Sequence, residues 1–206
     1  MMIQAFKDSI KRSFIYETWM KYEIKKWEKK GRPIPPPPAV KAKIIKEYAR
    51  QFSTDILIET GTYQGDMLAS MWNVFSQIFS IELSQDLFQK AKLRFAKYSH
   101  ICIMHGDSSE ILPQILRSIN KPCLFWLDAH YSGGVTAKGD IDTPIISELK
   151  QILSHSIKNH VILIDDAREF IGLNDYPTIE NLKDFIHSER SDYVIQVADD
   201  IIRLYK

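Results

Sequence analysis

Apolar and polar positions follow two rhythms along this chain. Between residues 3 and 30, Ile3, Phe6, Ile10, Phe14, Ile15, Trp19 and Tyr22 recur at near-helical spacing, and lysines fill much of the remaining surface. This predicts an amphipathic helix packed on the body or on a second subunit, rather than a nucleic-acid or lipid surface. "GRPIPPPPAV" follows. Four consecutive prolines favour an extended, stiff spacer, which places a boundary between residues 1–38 and a main domain at 39–206. Thereafter helix and strand patterns alternate. Helices are predicted at 39–52, 65–75, 85–98, 108–119, 142–153 and 178–188, and strands at "DILIETG", "QIFSIEL", "HICIMHGD", "PCLFWLD" and "NHVILIDD". Ser84, Thr143 and Thr178 are the expected caps of three helices, with Pro144 at the first helical position. "DYVIQVADDIIRLYK" predicts two strands about a turn at 198–200. Five short apolar strands separated by helices imply a parallel α/β sheet covered on both faces, and the terminal hairpin makes the last strand antiparallel.

Composition narrows the class. The 206 residues are 45% hydrophobic and 26% charged, which supports one main core. A net charge of +1 supplies no field to recruit nucleic acid or membrane. Cys102 and Cys123 both sit in apolar runs and are expected in the core, without disulfide or zinc spacing. No apolar run approaches the length of a membrane span, and the start lacks the apolar core of a signal peptide. A cytoplasmic location is the expectation.

The chemistry gathers where the strands end, because ligands of open α/β sheets bind beyond the carboxyl ends of the strands. There the five strands deliver Glu59, Glu82, Asp107, Asp128 and the pair Asp165 and Asp166. One acid after a strand is an ordinary cap; all five strands ending this way is harder to attribute to turns. The first loop, "ETGTYQGDM", has Gly61 and Gly65 but not the GxGxxG of a dinucleotide site, with Tyr63 and Asp66 where that pattern wants glycine. Asp66 at a helix start, with Glu59 close by, repels a pyrophosphate and attracts a cation. S-adenosylmethionine, with an ammonium, a sulfonium and no phosphate, suits such a loop. Glu82 lies where a ribose-binding acid is expected, and Asp107 with Ser108 can contact the adenine or cap the next helix.

The ordered pieces "ILIETGTYQG", "IFSIELS", "IMHGDSSEILPQI" and "LFWLDAHYSGG" resemble the class I S-adenosylmethionine-dependent methyltransferases over residues 56–134. The resemblance implies a Rossmann-like three-layer sandwich, with a seven-stranded sheet in the order 3-2-1-4-5-7-6, an antiparallel last strand and here an N-terminal helical extension. It implies donor-site residues Glu59, Gly61, Tyr63, Gly65, Glu82, Asp107, Ser108 and Asp128. Asp128, Asp165 and Asp166 are similar in placement to the acids of the catechol-type and macrocin-type O-methyltransferases, where Mg²⁺ or another divalent cation binds the acceptor hydroxyls. In the catechol-type pattern a lysine stands three positions beyond the fourth-strand acid; here Tyr131 stands there and His130 precedes it. Asp128, His130 and Tyr131 are the catalytic candidates. His130 can be a base, a contact to metal or substrate, or a structural loop residue. "SGGVTAKGDIDTP" is expected as a lid or as a plain surface loop. Arg168 can neutralise the acids or bind a substrate carboxylate.

The function expected is methyl transfer to an oxygen of a small molecule, a sugar or phenol hydroxyl, with or without a metal. A nicotinamide-dependent oxidoreductase, or a non-catalytic adaptor using the basic N-terminal helix, are the alternatives. A small-molecule acceptor is the expected partner, and a homodimer through the N-terminal helix is the expected assembly.

Overall fold

A computed structural model describes residues 14–128 and 143–206. The strands β1 (Ile56–Thr60), β2 (Gln77–Glu82), β3 (Ile101–His105), β4 (Leu124–Leu127), β5 (Val161–Ile164), β6 (Val194–Ala198) and β7 (Ile201–Tyr205) form one sheet in the order β3-β2-β1-β4-β5-β7-β6. The first five are parallel, and β7 runs antiparallel to both β5 and β6. This is the order that the family resemblance implied, and the strand sense that the alternating pattern and terminal hairpin predicted. Asp199 and Asp200 turn the final hairpin, both at positive φ (52° and 62°), as a tight two-residue hairpin requires.

Strand alternation splits the core into two layers. Leu57, Ile78, Leu124, Trp126 and Leu163 face helices α2 (Pro38–Gln51) and α3 (Asp66–Met71), following α1 (Phe14–Lys29) in the chain. α4 (Gln85–Phe95) adds Phe95 to this layer. Ile58, Phe125, Leu127, Ile162 and Ile164 face α5 (Ser108–Leu116), α6 (Ile145–Ser154) and α7 (Ile179–Glu189). Met20 and Trp27 of α1 sink into the same layer as α2. The proline segment between them is anchored as well. Trp27 Nε1 donates to the Pro33 carbonyl at 2.8 Å, and Arg32 lies 3.4 Å from Asp199.

Several boundaries differ from the sequence expectation. Pro38 opens α2 instead of ending a spacer, because the first helical position needs no N–H; Pro37 before it is extended (φ −66°, ψ 155°). α3 stops at Met71, where the Val74 N–H closes a tighter turn onto the Met71 carbonyl. α6 begins at Ile145, one residue later than expected, with Pro144 in the cap position. Proline has no N–H to offer, so the Thr143 hydroxyl accepts from Ile145 instead, at 3.4 Å. Thr178 and Ser84 cap as expected, accepting from Asn181 and Leu87. Cys102 is exposed, contrary to the core expectation, because β3 is an edge strand with an incompletely covered face; Cys123 is buried. The first part of the predicted N-terminal helix and most of the expected lid lie outside the described residues. Among the described residues, no helix is long and apolar enough to cross a membrane.

Candidate functional site

Gly61 occupies φ 88° and Gly65 φ 75°, conformations costly for residues with a Cβ. They let the β1 loop turn back over the sheet edge. The Gly61 and Thr62 amides both donate to the Ile81 carbonyl, at 3.0 and 3.1 Å, which pins the loop to β2. The loop then runs past the end of β2, where Glu82 takes over. Its Oε2 accepts the Tyr63 N–H at 2.7 Å and its Oε1 accepts the Ser84 N–H at 2.9 Å. Burial pushes this carboxyl upward, and the two amides oppose the shift by favouring the charged form.

Glu59 sits under the loop, 1% exposed. The Ser80 hydroxyl donates to its Oε2 at 2.5 Å, and Thr62 Oγ1 lies 2.6 Å from the same hydroxyl. Burial drives the Glu59 carboxyl up to about 8; Ser80 opposes this, and Asp128 and Glu82 add to it. Asp66 pairs with Arg94 Nη2 at 3.0 Å, and Arg94 also donates to the Gln64 carbonyl. The expected pair of cation-attracting acids in this loop is therefore corrected. One is neutralised by an arginine 28 residues away, and the other is a buried carboxyl that favours its neutral form. Asp107 is the N-cap of α5, its Oδ1 accepting from Ser109 N at 2.8 Å and Ser109 Oγ at 2.6 Å. Ser108 follows it, buried.

Across the same edge, β4 and β5 present the second half. The Asp128 amide donates to the Thr60 carbonyl and the Asp165 amide to the Leu127 carbonyl, each at 3.0 Å, so the sheet register continues through both acids. Asp165 and Asp166 are 4% and 5% exposed. One carboxylate oxygen from each of Asp128, Asp165 and Asp166 lies within 4.8 Å of the others, so the expected trio is brought together. A cation from elsewhere meets it. Lys41 Nζ lies 2.5 Å from Asp165 Oδ2 and 3.4 Å from Asp166 Oδ1. Burial lowers the lysine pKa, and Asp165, Asp166 and Asp128 together raise it further, so the ammonium stays charged. Burial pushes the Asp165 carboxyl upward, with Asp128 and Asp166 adding to the shift and Lys41 opposing it. Arg168 neutralises the cluster from the other side, with Nη1 at 2.7 Å from Asp166 Oδ1 and a further contact to Asp200.

A small, open cleft lies against this cluster. It is lined by Leu127, Asp128, Thr143, Ile145, Glu148, Ile164, Asp165, Phe170 and Tyr176. Glu148 is 1% exposed, and its Oε1 has no hydrogen-bond partner among the described residues. Burial pushes it up to about 7, with the nearby Ser108 and Thr60 hydroxyls pulling the other way.

Three solved structures are similar over nearly the whole chain. An O-methyltransferase from Bacillus cereus in complex with SAH matches with TM-score 0.59 and 14% identity, covering 91% of this chain and 90% of that one. The O-methyltransferase TomG from Streptomyces achromogenes, involved in tomaymycin synthesis and in complex with SAM, matches with TM-score 0.59 and 18% identity, covering 90% and 87%. The SAH-bound methyltransferase PaMTH1 from Podospora anserina matches with TM-score 0.56 and 16% identity, covering 91% and 86%. The chain has a methyltransferase fold. No protein-family model and no curated protein sequence matches it.

On this methyltransferase fold the candidates separate into two groups. Glu59, Gly61, Tyr63, Gly65, Glu82, Asp107 and Ser108 lie along the ends of β1, β2 and β3, and Asp128, Asp165 and Asp166 beyond β4 and β5. His130 and Tyr131 fall outside the described residues. Sequence reading missed Lys41, Arg94 and Glu148. A signal for Lys41 existed: it precedes Ile45 by four residues and Ala49 by eight, so it shares their buried stripe of α2. Glu148 likewise precedes Ile152 by four on α6. Nothing local marks Arg94.

Proposed function

We propose that this protein binds S-adenosylmethionine at the ends of β1–β3 and transfers its methyl group to an oxygen of a small molecule held beside Asp128 and Asp165. One observation carries the donor half: Glu82, at the end of β2, holds the glycine-containing loop through two backbone amides. A carboxylate oxygen has two lone pairs, so each oxygen keeps one for a ribose hydroxyl. Positive φ at Gly61 lets the loop backbone approach a ligand closely. These features fit the donor, as do relatives in fold that were crystallised with SAH or SAM.

S-adenosylmethionine, when bound, supplies an electrophilic methyl group whose C–S bond breaks as the C–O bond to the acceptor forms, the electron pair staying on sulfur. The chain's own residues hold and orient the two reactants, which is the main source of rate in a displacement between bound partners. They also take the acceptor proton. His130, two residues beyond Asp128, is the proposed base, because an unperturbed imidazole titrates at roughly 6.5 and can take a proton at neutral pH. Tyr131 is the proposed neighbour that orients the acceptor. Phe170 and Tyr176, stacked edge-on at 5.1 Å between ring centres, give the cleft an aromatic wall suited to a ring-bearing acceptor.

Asp128, Asp165 and Asp166 match a hard divalent cation in donor type and spacing. They do not fit one as arranged, because Lys41 Nζ already lies against two of them. No step here runs through a metal. Calorimetry with S-adenosylhomocysteine tests the proposal: one site in the micromolar range is expected. Binding of NAD(H) in its place would overturn it.

A further inference from the structure

We propose that the cation of the Asp128, Asp165 and Asp166 cluster is the Lys41 ammonium, and that this lysine keeps a divalent metal ion out of the site. The inference takes from the proposed function only the location of the acceptor side.

The placement follows from the fold. Asp128 continues the alternation of Leu124 and Trp126, and Asp165 that of Val161 and Leu163, all four of which belong to the core layer under α2. Both acids therefore lie on the face that α2 covers. Ala42, Ile45 and Ala49 seat α2 on that face, at 2%, 0% and 5% exposure. Lys41 is thereby aimed along the sheet toward the strand ends, where its side chain is 17% exposed.

The electrostatics leave little room for a second cation. A divalent ion must approach carboxylate oxygens to about 2.0–2.6 Å. Lys41 Nζ already stands 2.5 Å from Asp165 Oδ2. The other lone pairs are partly committed: Asp165 Oδ1 accepts the Asp166 N–H at 2.9 Å, and Asp166 Oδ1 is shared by Lys41 and Arg168. An ammonium seated on Asp165 and Asp166 also repels a dication brought to the same oxygens. Withdrawing Lys41 would leave three acids with a single arginine, and a set of oxygens spaced for a metal.

The test is Mn²⁺ titration followed by electron paramagnetic resonance, on the full chain and on Lys41→Gln and Lys41→Met, with circular dichroism to check folding. The wild type is expected to bind no stoichiometric Mn²⁺ below about 1 mM, and the variants to bind one ion at least about tenfold more tightly. Asp165→Asn added to either variant is expected to abolish that gain. One Mn²⁺ bound by the wild type at micromolar concentration overturns the proposal, as do folded lysine variants that gain no site. Should both variants fail to fold, the wild-type titration alone decides. Calorimetry with S-adenosylhomocysteine on the same preparations reports separately on the donor site, so its failure counts against the proposed function and not against Lys41.

Discussion

Replacing Glu82 strikes the residue on which the donor proposal turns. Its two carboxylate oxygens each accept one backbone amide, from Tyr63 and Ser84, and an oxygen with two lone pairs can accept a second donor. Two ribose hydroxyls donating to a charged acceptor contribute about 1.5 kcal/mol each at the lower end for such bonds. Losing both costs about 3 kcal/mol, which is roughly 150-fold in dissociation constant. Glu82→Gln keeps the shape but places an NH₂ where a backbone N–H already donates, so it should lose at least one hydroxyl and disturb the loop. Glu82→Ala leaves the Tyr63 and Ser84 amides unpaired as well and should weaken binding further, with a lowered melting temperature. The assay is calorimetric titration with S-adenosylhomocysteine, with thermal melts of the free variants as a folding control. A folded Glu82→Ala protein that binds S-adenosylhomocysteine within a few-fold of the wild type would refute the reasoning, because no other described group could then be credited with the ribose.

Two further outcomes concern pH. Glu59 is raised to about 8 in the fold, so its contribution to stability is present below its ordinary value near 4.5 and is lost as pH climbs through 8. Glu59→Gln keeps the Ser80 hydrogen bond without the ionisation; its stability relative to wild type should grow between pH 5 and 8.5, by at most roughly 4 kcal/mol. Equal urea midpoint differences at both pH values would count against this. His160 is 1% exposed, its Nδ1 accepts the Cys123 N–H at 3.1 Å, and its Nε2 lies 3.0 Å from His155 Nδ1. Burial, with His155 and Lys158, lowers it to about 4. Here the unfolded chain takes up the proton first, so stability is lost as pH falls from 6.5 toward 4, by roughly 3 kcal/mol at most. His160→Gln retains an acceptor for Cys123 and should flatten that acid slope; an unchanged slope in chemical denaturation would exclude His160 as its source.

Much of the fold was legible because its signals are local. Apolar runs such as "VILI" and "LFWL" need only their own residues to announce buried strands, and Thr178 caps α7 through a hydrogen bond three residues long. Even the acids were legible, since each closes a recognisable strand. What misled was also local in origin. Cys102 reads as core from its apolar neighbours, but whether a strand lies at the edge is set by pairing with distant strands. Asp66 reads as a cation-attracting acid until Arg94 is brought to it.

The sequence by itself determined that five parallel strands would end in carboxylates on one rim, because strand and helix periods and the chirality of their connections leave few other arrangements. Only the tertiary structure decided what those carboxylates face. Lys41 and Asp165 are 124 residues apart, and nothing near either one names the other. Their meeting depends on which face of the sheet α2 covers and on which parity of β4 and β5 points toward it. A one-residue change in either register would turn the acids away from the lysine. The packing of one helix on one face is what sets the Lys41 ammonium against Asp165 and Asp166.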